Sequence, residues 1–305
     1  MPTGRFAPSP TGPLHLGSLR TALLAWLFAR SAHSTFLVRI EDLDLAAARP
    51  EIEALQLHDL ASIGLDWDGE VVRQSDRQHH YASAIAGLIA DDRTYPCFCS
   101  RREVREAASA PHGIDSSGLY PGTCRDLSSS ERTRRAETGR PAALRLRADG
   151  AEVTFTDRLH GQVTSVVDDF VVRRNDGTPA YNLAVVIDDA AQEVEEVVRG
   201  DDLLPTTGRQ VLLAGMLGLR SVTYAHVPLV VGADGLRLAK RHGAVTLDDR
   251  VALGDSPEVV CGLLAASLDL IDDAVPVRPP DLLARFDPGQ LPLAPWVISS
   301  PDRSH

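Results

Sequence analysis

Residues 4–30, GRFAPSPTGPLHLGSLRTALLAWLFAR, constrain the fold more than any other stretch: a short apolar strand, a loop stiffened by Pro8, Pro10 and Pro13, then a helix. Leu16, Leu19, Leu23, Leu24, Leu27 and Phe28 recur at spacings of three and four, which predicts an amphipathic helix over 15–32. A helix opening straight out of such a loop points its unpaired backbone N–H groups and the positive end of its dipole into the loop, an arrangement that favours phosphate. His15 stands at the helix start, where an imidazole can donate to a phosphate oxygen, and Gly17 lets a planar ring approach the backbone. On spacing alone, the same string also serves as a stiff turn.

The strand and helix rhythm continues. STFLVRIED reads as a second strand, and PEIEALQLHDLASIG, opened by Pro50 and closed by Gly64, as a second helix. Strand, helix, strand, helix implies a parallel sheet. Residues 96–150 interrupt it with a loop rich in Cys, Gly, Pro and Ser, an Arg/Glu-rich helical stretch at 128–138 and a strand AALRLRA, so they read as an insertion. The pattern resumes through FVVRR, AYNLAVVIDDA, VEEVVRG, a helix near 203–217 and VTYAHVPLVV; after 245 come short helical patterns, Pro-rich links and a polar tail. The expected organisation is therefore 1–95 and 151–245 as two halves of one α/β domain, 96–150 inserted between them, and 246–305 as a small helical remnant.

The 305 residues carry a formal net charge of −11, so bulk charge gives no pointer to nucleic acid. No apolar run reaches the length of a membrane span, and LLAWLFA at 23–29 is too short and too late for a signal peptide; a soluble cytoplasmic protein is expected. Of 31 basic residues only one, Lys240, is lysine. It sits in GADGLRLAKRHGAVTL, readable as a solvated basic loop or as a mobile ammonium that follows charge developing on a polyphosphate. Three of the four cysteines, Cys97, Cys99 and Cys124, cluster within the insertion, which reads as metal rather than disulfide. General ligand preferences nominate His112 as a fourth zinc ligand.

The string PSPTGPLHLGSLRTAL resembles the first signature of the class I aminoacyl-tRNA synthetases in its glutamate-specific form, running here His15, Leu16, Gly17, Ser18. Arg237, Leu238, Ala239, Lys240, Arg241 resembles the second, Lys-Met-Ser-Lys-Ser, with Arg for the first Lys and Ala for the Ser. The resemblance implies a Rossmann-like α/β catalytic domain with a parallel sheet, in which His15, Gly17, Arg237 and Lys240 bind ATP, supplied with Mg2+, and His15 and Lys240 act in catalysis. It also implies a glutamate pocket: Arg5 and Arg199 facing the carboxylates, Glu41 holding the α-ammonium, Tyr181 lining the site, and Phe6, Ala7, Pro8 and Ser9 contributing from the loop. Val185 departs from the family's pattern, where Asn is frequent, and is expected to weaken glutamate binding.

Cys-x-Cys followed by Tyr-x-x-x-Cys is similar to the zinc site of the family's insertion. It implies one structural Zn2+ per chain on Cys97, Cys99, Tyr120 and Cys124. The short remnant after the lysine loop, read as lacking an anticodon-binding domain, resembles the glutamyl-Q tRNA(Asp) synthetases. These activate L-glutamate with ATP and transfer it to queuosine in the anticodon loop of tRNA(Asp). The alternatives are a truncated glutamyl-tRNA synthetase charging a tRNA 3′ end, or an inactive RNA-binding paralogue. A monomer is expected, gripping RNA through Arg101, Arg102 and Arg105 or Arg132, Arg134 and Arg135, which otherwise are solvated helix faces.

Overall fold

The computed structural model describes residues 3–100, 102–104, 120–238, 242, 243 and 245–298. Strand β1 (Thr3–Phe6) leads through the proline loop into helix α1 (Leu16–Ser31); β2 (Phe36–Ile40), helix α2 (Pro50–Ser62) and β3 (Val72–Arg73) follow. Arg49 leads into α2 with Pro50 in its first turn, and Gly64, at φ 88°, takes the left-handed turn that releases the chain toward β3. Helix α3 (Gln78–Ala90) precedes β4 (Thr94–Cys97), β5 (Ala143–Leu146), β6 (Glu152–Asp157), β7 (Gly161–Val166) and β8 (Val171–Arg173). After the helix Tyr181–Ala191 come β9 (Val194–Gly200), the helix Thr207–Met216, β10 (Thr223–Val227) and β11 (Val230–Gly232).

Seven strands form one sheet in the order β3-β2-β1-β9-β10-β6-β7, parallel throughout except for the β6–β7 hairpin at its edge. From β1 the chain winds outward through β2 and β3. The second half winds the other way from β9 to β10. Strand order thus reverses between β1 and β9, and ligands of open α/β sheets bind at the carboxyl ends of the strands flanking such a point. Here those ends are Phe6 and Gly200.

A second, antiparallel sheet, β4-β5-β8, carries the inserted segment. It draws strands from both sides of residue 150. The intervening β6–β7 hairpin belongs to the large sheet.

The spacing in α1 predicts one apolar stripe, yet the helix is buried on nearly every side. The cause is the C-terminal segment. Val260, Cys261, Leu264, Leu268, Leu282 and Leu291 enter the same core as the leucines of α1, so the helix is covered by the sheet on one side and by residues 257–291 on the other. Removing one of these leucine side chains typically costs about 2–5 kcal/mol. Arg20, 1% exposed, ties the layers together: its Nε donates to Ser267 Oγ at 3.0 Å, Nη1 to the Pro228 carbonyl at 2.9 Å and Nη2 to the Ser267 carbonyl at 3.1 Å. The segment after 245 is not wholly helical either. Strand β12 (Trp296–Ile298) pairs in parallel with β11, a pairing that three residues are too few to announce in sequence. No helix among the described residues is long and apolar enough to cross a membrane.

Candidate active site

A cleft of about 540 Å³ opens at the carboxyl ends of β1 and β9. Its floor is the proline loop, and other parts of the fold hold that loop's backbone. The Glu41 N–H donates to the Pro8 carbonyl (2.9 Å), the Arg49 N–H to that of Pro10 (3.1 Å), and Gln56 Nε2, from α2, to those of Ser9 (3.0 Å) and Gly12 (2.7 Å). Gln56 is 1% exposed and its Oε1 has no partner among the described residues, which leaves a buried acceptor at the cleft wall.

His15 caps α1. Its Nδ1 accepts from the Ser18 N–H at 3.1 Å, so in the neutral ring the proton sits on Nε2, available for donation. Burial, then the Arg237 charge, lowers the pKa of His15 and keeps the ring neutral. A Cβ on Gly17 would lie 3.0 Å from His15 Nδ1 and 3.2 Å from Val230 Cβ. The glycine therefore makes room for the protein's own imidazole, where the sequence pointed to a ligand ring.

Phe6, Ala7, Pro8, Ser9, His15, Gly17, Glu41, Tyr181 and Arg237 all line the cleft. Arg5 and Arg199 sit one layer behind, 4% and 5% exposed, and their surroundings differ. Asp189 takes up Arg5, accepting from its Nε at 3.1 Å and its Nη2 at 3.4 Å. Arg199 is held only by neutral acceptors: Nε donates to His226 Nε2 (3.1 Å), Nη1 to Gln210 Oε1 (2.8 Å) and Nη2 to Thr207 Oγ1 (2.7 Å). Among the described residues no carboxylate pairs with it. A guanidinium buried without a counter-ion costs free energy that an anionic ligand recovers.

Behind Glu41 lies Arg39, fully buried in β2. Its Nη2 donates to Glu41 Oε1 at 3.3 Å and its Nη1 to Asp189 Oδ1 at 2.7 Å. Burial opposes its charge, but Asp189, Glu41 and Asp188 outweigh burial and hold its pKa above the ordinary range. For Glu41 the balance runs the other way: burial raises its pKa and Arg39 and Arg5 only partly offset this. Tyr181, raised by burial and by Glu41, also feels Arg199 and Arg5, so its phenol lies within the field of the whole group.

Both flanks of the lysine loop are fastened beside the cleft. Leu238 N–H donates to the Val230 carbonyl (3.2 Å), and Arg237 Nη1 to Asp202 Oδ2 (3.1 Å). On the far side, Leu16 N–H donates to the Val245 carbonyl at 2.7 Å and Thr246 bridges to His15. Lys240, with Ala239 and Arg241, lies outside the described residues, as do His112, Arg101 and Arg105.

In the inserted segment the sulfurs of Cys97, Cys99 and Cys124 lie within 4.8 Å of one another. Tyr120 Oη is 3.4 Å from Cys97 Sγ and 3.9 Å from Cys99 Sγ. Three thiols and a phenol converging in a small apolar cluster fit a closed four-ligand metal site. Arg145 faces them with its Nε 3.2 Å from Cys97 Sγ and its guanidinium carbon 3.6 Å from the Tyr120 ring centre, and Arg135 Nη1 lies 3.5 Å from Cys124 Sγ. Cations so placed would balance the charge of thiolates on a bound metal. Arg135 thus faces the cysteines instead of standing wholly free for RNA, whereas Arg134 is exposed.

Val185 is 1% exposed in a core shared with Leu144, Val172, Leu183 and Leu213, and it does not line the cleft. Sequence reading also missed Arg39, Asp189, Gln56 and His226. A signal existed for two of them: an Arg inside the apolar strand FLVRI, and an Asp pair closing the apolar run AVVIDDA.

The family model for tRNA synthetases class I (E and Q), catalytic domain, matches residues 3–266. A glutamyl-Q tRNA(Asp) synthetase of Nocardia farcinica is 59% identical over 97% of this chain and 93% of its own length. One from Symbiobacterium thermophilum is 48% identical over 97% of this chain and 95% of its own. A glutamate tRNA ligase of Elizabethkingia meningosepticum, crystallised with its amino acid, has the same fold with a TM-score of 0.80 at 26% identity, covering 98% of this chain and 67% of that one.

Proposed function

The chain belongs to the class I tRNA synthetases of the glutamate and glutamine type, and we propose that it activates L-glutamate with ATP and transfers it to queuosine in the anticodon loop of tRNA(Asp). The observation that carries the substrate is Arg199, a buried cation held by three neutral acceptors, which acts together with the cleft-lining carboxylate Glu41 on the phenol of Tyr181. A ligand with an ammonium at one end and a carboxylate at the other satisfies both. The acceptor rests on relatives nearly coextensive with this chain, which are far more similar to it than the glutamate tRNA ligase is.

Glutamate lies with its α-ammonium on Glu41 and its side-chain carboxylate toward Arg199, with Arg5 and Tyr181 completing the pocket. Two guanidiniums suit a carboxylate because each can donate bidentately. ATP, taken as its Mg2+ complex, lies along the proline loop and the start of α1. An α-carboxylate oxygen of glutamate attacks the α-phosphorus, and the bond from that phosphorus to the bridging oxygen breaks, so pyrophosphate leaves with the electron pair. His15 donates from Nε2 to a phosphate oxygen, and Lys240 supplies a mobile ammonium to the departing charge. A hydroxyl of the modified nucleoside then attacks the acyl carbon of the adenylate. Its proton is released, AMP leaves, and an ester remains on the RNA.

Zn2+ on Cys97, Cys99, Tyr120 and Cys124 would supply a structural clamp, since four protein ligands leave no open position. Three cysteines gathered as a metal site, with no paired framework in their spacing, suit a protein of the cytoplasm, and we place it there as a monomer. Glutamate-dependent exchange between ATP and pyrophosphate without tRNA, followed by transfer to queuosine-bearing tRNA(Asp), tests this function. Exchange that required tRNA, or glutamate esterified to a tRNA 3′ end, would favour an ordinary glutamate tRNA ligase.

A further inference from the structure

His226 lies in β10, between β9 and β6 of the large sheet, fully buried, with both ring nitrogens engaged. Nδ1 is 2.6 Å from Asp157 Oδ2, and that same oxygen also accepts from the His226 backbone N–H at 3.1 Å. The other oxygen, Asp157 Oδ1, accepts from the backbone N–H groups of Leu159 (2.9 Å) and His160 (3.0 Å), so the carboxylate cannot turn. A carboxylate only accepts, so Nδ1 must carry the ring proton. That leaves Nε2 as an acceptor, with Arg199 Nε at 3.1 Å and the Thr207 hydroxyl at 3.0 Å facing it. We propose that Asp157 and His226 are positioning residues for glutamate: they fix the imidazole as an acceptor that turns the Arg199 guanidinium, leaving its remaining N–H groups for the substrate carboxylate.

The inference rests on the proposed role of Arg199 in glutamate binding. Five N–H groups are available on a guanidinium, and His226, Gln210 and Thr207 use three. All three acceptors are neutral, which preserves the charge for the ligand. An Asp in place of His226 would hold the guanidinium equally well but would cancel its charge. A histidine relayed to a carboxylate one step further away supplies orientation while keeping that negative charge off Arg199 itself. The groups facing the ring are Asp157 from β6, Arg199 from β9, Thr207 from the helix Thr207–Met216 and Tyr224 stacked on its own strand, while His160 from the β6–β7 turn contacts the backbone carbonyl of His226 and opposes its protonation. Burial and the Arg199 charge oppose protonation of the imidazole and Asp157 favours it, with a lowered pKa as the net result. Protonation would put a second donor against Arg199 Nε.

The experiment has a ligand-free arm and a kinetic arm. Long-range proton–nitrogen correlation on the protein without substrate is expected to show His226 protonated at Nδ1 and bare at Nε2 at neutral pH. The reverse tautomer, or a doubly protonated ring, overturns the proposal whatever the enzyme's substrate proves to be. In glutamate-dependent exchange, His226→Leu is expected to raise KM for glutamate roughly 10- to 100-fold with KM for ATP and kcat nearly unchanged, the range for losing one charge-assisted hydrogen bond. His226→Gln supplies an acceptor that does not titrate. It should keep KM near wild type at neutral pH and lack the part of the acidic rise in KM that the wild type shows below the ordinary histidine range. An equal KM in wild type and His226→Leu, or identical pH profiles for wild type and His226→Gln, contradicts it. If the wild type itself shows no glutamate-dependent exchange, the functional reading fails while the tautomer measurement still judges the positioning claim.

Discussion

Arg39 and Asp189 meet at 2.7 Å, buried behind the cleft, and tie two charged groups of the site together: Asp189 also grips Arg5, and Arg39 also grips Glu41. The groups for a carboxylate and for an ammonium are thereby held at a fixed spacing by one buried ion pair. Asp189→Asn leaves two buried guanidiniums short of an acceptor charge. Breaking a buried pair from one side typically costs about 3–5 kcal/mol, and chemical denaturation should show a loss in that range together with a higher KM for glutamate. The pKa of Asp189 is depressed: burial opposes this, but Arg5 and Arg39 prevail. Its contribution is therefore present above the ordinary carboxylate pKa of 3.8 and is lost as pH falls through the lower folded value.

Glu41 has the opposite sign. Burial raises its pKa above 4.5 despite Arg39 and Arg5, so the charged carboxylate costs stability at neutral pH, and that cost disappears as pH falls through the raised value. Glu41→Gln is expected to raise the melting temperature of the ligand-free protein at pH 7, with the gain shrinking in acid. KM for glutamate should rise tenfold or more, because a neutral amide replaces the partner of the ammonium. Calorimetry and exchange kinetics on the same variant measure the two effects.

Gly17 separates a packing role from a catalytic one. A Cβ there would meet the His15 ring at 3.0 Å, while alanine would favour the first turn of α1 by about 0.8–1 kcal/mol over glycine. Gly17→Ala should therefore leave thermal stability close to wild type and lower kcat for exchange about tenfold, by displacing Nε2 of His15 from the phosphate path. Melting curves and exchange rates check the pair.

Zinc analysis of the purified protein should find about one ion per chain. His112→Ala should retain it and Tyr120→Phe, which removes only the hydroxyl beside Cys97 Sγ and Cys99 Sγ, should weaken it measurably. Chelation should loosen the β4-β5-β8 sheet, read by hydrogen exchange, without abolishing glutamate-dependent exchange.

Much of this site was legible because its chemistry follows local order. Strand, proline loop and helix are contiguous, so His15 and Gly17 could be placed at a helix start from their spacing, and the three cysteines from theirs, while residues 5–9 needed the resemblance. Glu41 and Tyr181 needed the resemblance, because nothing local announces which carboxylate or phenol turns inward. Arg39, Asp189 and His226 lay beyond sequence reading for a different reason: each acts through a partner far along the chain, Arg39 with Asp189, Asp189 with Arg5 and His226 with Asp157. Only the reversal of strand order between β1 and β9 brings them together. The stripe on α1 was legible, but its second covering by residues 257–291 was not, since short helices joined by proline links carry no periodicity long enough to assign a partner.

The RNA acceptor sets this protein apart from an ordinary glutamate tRNA ligase. Purified protein given ATP, radiolabelled glutamate and tRNA(Asp) with or without queuosine, with tRNA(Glu) as a third substrate, tests it most directly. Label should appear only on queuosine-bearing tRNA(Asp) and remain on the anticodon fragment after nuclease cleavage. Label on queuosine-free tRNA(Asp), or at the 3′ end of tRNA(Glu), would contradict the account.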